Sequence, residues 1–240
     1  MTIARLRRGR IGSRGPAIKR AVIPELLDTD SGTPAEIAAS LSDLRRINAW
    51  FGGFRTARAM VENIARQTQR DSLSLLEVAS GAGHVPRAAS VALRRQGVRL
   101  DVTLLDRAAS HLNGAGRNGP AVAGDALSLP FRDASFDVVS SCLFVHHLAP
   151  REFIRFVNES LRVCRTAVMI NDLIRHPAHL ALVYAGLPLY RSQLTRHDAP
   201  ASARQAYTVA EMREMLAQTK AAKVEIRRHF LFRMAALAWK

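Results

Sequence analysis

The chain has 240 residues, a formal net charge of +15 and 48% hydrophobic residues. That length suits one α/β domain with a full core and extra helices, and the apolar content excludes a disordered chain. No apolar run reaches the roughly 18 residues of a spanning helix, so no transmembrane segment is expected.

Residues 1–19 read as a flexible basic arm, rich in Arg, Gly and Ser, with the run Arg5-Leu-Arg-Arg-Gly-Arg10. It lacks the apolar stretch of a secretory signal. Residues 20–70 read as a helical cap. Within it, Val22 to Leu27 is a short apolar patch able to dock on a domain. Thr33-Pro-Ala-Glu36 has capping-box spacing and opens a helix to about Asn48, with Ile37, Leu41, Leu44 and Ile47 on one face. Trp50-Phe-Gly-Gly-Phe54 breaks it, and a second helix runs from about Arg55 to Thr68. Trp50 and Phe51 either wall a substrate pocket or pack the cap onto the core.

Residues 71–240 read as the main domain. Leu73 to Val78 is a buried strand, Ala79 to Gly83 a small-residue turn, and Val85 to Gln96 an amphipathic helix. Such a turn offers bare backbone N–H groups to a ligand at the mouth of a sheet. The dinucleotide pattern GxGxxG fails here, because Gly81-Ala-Gly-His-Val-Pro86 ends in proline. Leu100 to Asp106 is the second strand, and its terminal carboxylate suits a ribose without choosing between cofactors. Ala121 to Asp125 is the third, and Phe136 to Phe144 the fourth, followed by Val145-His-His-Leu148. A helix over Pro150 to Val163 and a fifth strand over Ala167 to Asp172 come next. Residues 173–207 form a long connection, apolar and helical over Leu180 to Tyr190, expected on the substrate side. Thr208-Val-Ala-Glu211 caps a last helix, and strands over Val224 to Arg228 and Leu231 to Trp239 close the chain.

Glu77, Ala79, Gly81 and Gly83 resemble the first motif of class I S-adenosylmethionine (SAM) methyltransferases, with Ala79 standing where glycine is usual. Asp125-Ala-Leu-Ser-Leu-Pro-Phe131, Phe136-Asp-Val-Val139 and His146-His-Leu148 extend the resemblance over Leu73 to Asp172. They resemble small-molecule enzymes of quinone and polyketide pathways. Leu44-Arg-Arg-Ile-Asn48 and Asn171-Asp-Leu173 look like bacterial methyltransferases encoded near type III polyketide synthases. The resemblance implies a Rossmann-like α/β fold under a helical lid. Its seven-stranded, mostly parallel, doubly wound sheet would be ordered 3-2-1-4-5-7-6 with the last strand antiparallel. It implies SAM over Glu77, Ala79, Ser80, Gly81 and Gly83, with Asp106 on the ribose and Asp125 near the adenine. Arg107, Ala126 and Cys142 would lie beside them.

Methyl transfer from a sulfonium is an in-line displacement, so the protein chiefly positions the reactants and excludes water. A base is needed where the acceptor arrives protonated. His147 matches the family's recurrent histidine, and His147 with His146 are the candidate catalytic groups. Either could instead fix local backbone. Trp50, Phe51, Asn171, Arg196 and Tyr207 are the candidate substrate contacts, with His176, His197, Asp198 and Arg204 as further candidates in the connection. The expected partner is a small aromatic, polyketide or quinone-like acceptor. The charge admits contact with nucleic acid or an anionic membrane surface, or is a plain Arg and Ala bias. An RNA methyltransferase is disfavoured, because Ser140-Ser-Cys-Leu-Phe144 lacks the Asn/Asp-Pro-Pro-aromatic signature and Cys142 lacks a preceding proline. A non-catalytic SAM-fold protein is the remaining alternative. Cys142 and Cys164 lie in apolar runs and read as core thiols. No metal ligands are expected, and a reducing cytoplasm fits.

Overall fold

The computed structural model describes residues 18–29, 32–112 and 119–240. Most of the expected basic arm, residues 1–17, lies outside them. Seven strands form one sheet: β1 (Ser72–Val78), β2 (Arg99–Asp106), β3 (Ala121–Ala123), β4 (Phe136–Cys142), β5 (Cys164–Leu173), β6 (Lys223–His229) and β7 (Arg233–Trp239). Their order is β3-β2-β1-β4-β5-β7-β6. β1 pairs in parallel with both β2 and β4, and so lies inside the sheet. β7 runs antiparallel to β5 and to β6, which makes the sheet mixed.

Helices bury both faces, which is why the central strands are buried along most of their length and do not alternate between core and solvent. α2 (Gly53–Thr68) and α3 (His84–Arg94) cover one face with Val61, Ile64 and Leu93. α4 (Pro150–Val163) and α7 (Val209–Leu216) cover the other with Phe153, Phe156 and Met212. Each such fully buried side chain contributes about 1.5–3 kcal/mol.

Three helices stand at the C-terminal side of the sheet. α1 (Pro34–Trp50) starts at the expected capping box: Thr33 N–H donates to Glu36 Oε2 at 2.8 Å, and Glu36 N–H to Thr33 Oγ1 at 3.3 Å. α5 (Pro177–Gly186) and α6 (Gln193–Gln205) fold most of the long connection. α6 packs against both α1 and α5. Buried Asp43 of α1 anchors its start, accepting from Arg191 N–H at 2.7 Å and Ser192 N–H at 2.9 Å.

The segment before α1 docks, but not by the apolar patch expected of it. Val22 is 67% exposed. Polar groups hold the segment instead. Arg20 donates to the carbonyls of Gln205 (2.8 Å), His146 (2.9 Å) and Leu148 (3.2 Å). Asp198 accepts from Leu26 N–H at 2.8 Å and Leu27 N–H at 3.0 Å. Ile18 is already tied in, its carbonyl accepting from Arg175 Nε at 2.8 Å.

Candidate active site

A cavity of about 510 Å³ opens over the C-terminal ends of β1, β2 and β4. The turn after β1 forms its floor. Gly81 sits at φ +50° and donates its N–H to Asp106 Oδ2 at 2.8 Å. A Cβ there would lie 3.3 Å from Leu41 Cδ2 of α1. Asp106 Oδ1 in turn accepts from Ala108 N–H at 3.0 Å, so a strand-end carboxylate and a strand-end turn fix one another. Ala79 holds φ +53° where the resembled motif has glycine, a left-handed conformation costing roughly 1–2 kcal/mol for a residue with a Cβ.

Glu77, Ala79, Ser80, Gly81, Asp106, Arg107, Asp125, Ala126 and Cys142 all line the cavity. Gly83 does not. A Cβ on it would meet Leu104 Cδ1 at 2.5 Å, so this glycine lets α3 approach β2. Asp125 Oδ1 accepts from Leu127 N–H at 2.9 Å, closing the turn beneath Ala126. Burial works against the charged form of two floor groups. Burial pushes the Glu77 carboxyl up to about 7, against a hydrogen bond with Ser140 that lowers it. Burial likewise pushes the Cys142 thiol up to about 12, which removes it as a nucleophile.

Facing this floor is a wall of titratable groups. A short 3₁₀ turn, Val145–His147, follows β4 and carries both histidines into the cavity lining. His146 is 2% exposed, and its Nδ1 lies 2.7 Å from Asp172 Oδ1 at the end of β5. Burial works against a charge on His146, but Asp172 first and then Glu25 outweigh it, raising the imidazole to about 10. The same imidazole holds Asp172 below its ordinary range despite burial. His147 keeps 17% side-chain exposure, and its Nδ1 lies 2.6 Å from Asp28 Oδ2. Glu25 stands between the two rings, 3.6 Å from His146 Nε2 and 3.9 Å from His147 Nε2. Apolar Phe144, Leu182, Val183 and Phe232 frame this wall.

Of the five substrate contacts expected from sequence, the cavity lining includes one and leaves out four. Phe51 lines the cavity. Trp50, at the last turn of α1, is 53% exposed on the outer side with Arg46 over its ring. Asn171 is buried in the frame, donating to the Gly53 carbonyl at 3.0 Å and accepting from Arg233 at 3.2 Å. Arg196 donates to the Tyr190 carbonyl at 3.1 Å and lies outside the lining. Tyr207 is 3% exposed and spends its hydroxyl on the Leu148 carbonyl at 2.6 Å, bracing the histidine turn from behind.

Among the further candidates, His176 caps α5 by accepting from Ala178 N–H at 3.1 Å. Arg204 donates to the Tyr184 hydroxyl at 3.0 Å. The His197–Asp198 pair, 2.8 Å apart, belongs to the anchor of the N-terminal segment. Sequence reasoning missed Glu25 and Asp28, because nothing local marks an acidic residue in a short irregular segment. It also missed the pairing of Asp172 with His146, although a carboxylate at the end of β5, beside the strand that leads into the histidines, was a usable signal.

A family model described as a methyltransferase domain matches residues 76–169. Solved structures share the fold at low identity. The plantazolicin methyltransferase BpumL in complex with SAH is 14% identical, with a TM-score of 0.68, over 89% of this chain and 93% of that one. Magnesium protoporphyrin IX methyltransferase from Synechocystis PCC 6803, with bound SAH, is 14% identical at TM-score 0.52, over 79% and 84%. A SAM-dependent methyltransferase from Methanosarcina mazei is 17% identical at TM-score 0.53, over 75% and 96%. No curated protein matches the chain. The domain match, the strand order and the turn after β1 agree: residues 76–169 match a methyltransferase-domain model, and the chain has the fold of the SAM-dependent methyltransferases named above.

Proposed function

We propose that the protein is a SAM-dependent methyltransferase that moves the methyl group to oxygen or carbon of a small aromatic, polyketide or quinone-like acceptor. The observation that carries this reading is a single cavity joining the β1 turn and Asp106 to a histidine–carboxylate wall in an apolar frame. SAM is the cofactor, held over Glu77 to Gly81 with its ribose on Asp106 and its adenine beside Asp125. The acceptor lies under Phe144, Leu182, Val183 and Phe232.

His147 is the base for a phenol or enol. Asp28 engages Nδ1, which leaves Nε2 facing the cavity to take the acceptor's proton as the oxygen or carbon attacks the sulfonium methyl. His146 does not serve as a base near neutrality, since its two carboxylate neighbours already hold it charged. SAM becomes the neutral thioether, and one proton ends on His147. The fold neighbours are named for plantazolicin and magnesium protoporphyrin IX, neither of them a nucleic acid.

Incubation with methyl-labelled SAM and a panel of phenolic, enolic and quinol acceptors tests the proposal. Transfer to one of them, with SAH formed in equal amount, is expected. Label passing instead to RNA, with a steep salt dependence, would replace it by the nucleic-acid alternative that the +15 charge admits.

A further inference from the structure

The wall opposite the cofactor turn has the form of a metal centre. One ligand-capable atom each from Glu25, His146 and His147 lies within 4.8 Å of the other two. The carboxylate meets the two imidazoles at 3.6 Å and 3.9 Å, through a different oxygen for each. A tetrahedral zinc site has ligand–ligand edges of about 3.3 Å, so the two carboxylate edges close by a few tenths of an ångström, while the two imidazoles, within 4.8 Å of each other, must draw together by up to about 1.5 Å. Each imidazole has its other nitrogen engaged by a carboxylate, Asp172 for His146 at 2.7 Å and Asp28 for His147 at 2.6 Å. Carboxylates behind both rings are what orients metal-binding histidines and raises their basicity. His146 Nε2, aimed at Glu25, is buried without a hydrogen-bond partner. Glu25 is itself positioned, its Oε1 accepting from Ser202 Oγ and Gln205 Nε2, both at 2.6 Å.

We infer that Glu25, His146 and His147 bind one divalent transition-metal cation at the acceptor end of the cavity, the ion displacing the His146 Nε2 proton to solvent as it binds. Three carboxylates converge there on two imidazoles, and a doubly charged ion compensates them. Nitrogen with oxygen donors and no thiolate selects Zn²⁺, Co²⁺, Ni²⁺ or Fe²⁺ over Mg²⁺ or Ca²⁺. Three protein ligands leave a coordination position toward the cavity. On the methyltransferase reading, that position takes the acceptor's hydroxyl oxygen, whose proton passes to water as the oxygen binds. In the metal-loaded protein this replaces proton transfer to His147. Cation binding itself does not depend on that reading.

The test uses the full, untagged chain, stripped with EDTA and titrated with Co²⁺ in the absence of SAM. One equivalent should bind, with visible d–d bands and no sulfur charge-transfer band. It should raise the thermal midpoint until EDTA is added. Glu25→Gln and His147→Gln should each weaken Co²⁺ binding at least about tenfold. His229→Gln, remote on β6, should not. SAH affinity, measured on the same samples, shows whether each variant is folded and reports the cofactor half alone. Loss of SAH binding by the wild type with Co²⁺ uptake intact would count against the methyltransferase reading and leave the metal site standing. If the wild type takes up no Co²⁺ in excess metal, or if uptake survives in folded Glu25→Gln and His147→Gln, the inference is overturned.

Discussion

Glu77 is the residue whose environment most directly constrains the cofactor. Buried at the end of β1, its carboxyl titrates near 7 against an ordinary 4.5. A raised folded value means that this group's contribution to stability is present below about 4.5 and lost as pH rises through about 7. SAM brings a positive sulfonium and a positive ammonium, which favour the ionised carboxylate. Binding should therefore release a proton below pH 7, and affinity should rise with pH, by up to about tenfold per unit, then level off. Calorimetry in buffers of different ionisation enthalpy checks this. Asp106→Ala removes the acceptor of the Gly81 N–H as well as the proposed ribose contact, and should weaken SAM binding by about 1–3 kcal/mol. An unchanged affinity would reject Asp106 as a ligand. His147→Ala should leave SAM affinity nearly constant and lower turnover on a phenolic acceptor by about 10²–10⁴. A loss of only a few-fold would reduce His147 to a positioning role.

The elements legible in the sequence were those whose own residues specify them. β1 announces itself by its leucines and Val78, β5 by the apolar run from Ala167 to Ile170, and α4 spans Pro150–Val163 as its spacing predicts. Capping boxes marked the starts of α1 and α7. α6 was not legible. It is polar, it carries Pro200 in its interior, and tertiary contacts hold it rather than a strong apolar stripe. Asp43 contributes most visibly, supplying acceptors for two backbone N–H groups at the helix start, while Ser40 and Thr195 hydroxyls meet at 3.1 Å between α1 and α6. Asp43→Ala would leave those N–H groups short of partners. The expected cost is about 1–3 kcal/mol in urea denaturation, and Asp43→Asn should recover part of it. A cost within a few tenths of a kcal/mol would mean that α6 is held by its apolar contacts alone.

At the scale of the whole molecule, the site divides into halves that differ in how the chain builds them. The proposed cofactor half comes from strand ends spaced along one stretch, Glu77 to Cys142, so motif spacing alone picks out residues that line one cavity. The acceptor half is assembled from distant segments, and so was only partly legible. His146 and His147 come from the turn after β4, Asp172 from β5, and Glu25 and Asp28 from the segment before α1. That segment is kept in place largely by Asp198, Arg20 and Gln205, contacts that no local pattern discloses. The division predicts different outcomes for two truncations. Removing residues 1–16 leaves Ile18, Arg20, Glu25 and Asp28 in place, and should preserve both SAH binding and transfer to a soluble acceptor. Removing residues 1–29 takes away Asp28 behind His147 and Glu25 between the histidines, but not Asp172, and none of the turn, Asp106 or Asp125. SAH affinity should then stay within a few-fold, while turnover falls by at least about 10² with the loss of the positioned base. Paired measurements of SAH affinity and single-turnover methyl transfer on the two truncations decide it. Equal turnover in both would show that the segment before α1 is not part of the acceptor half.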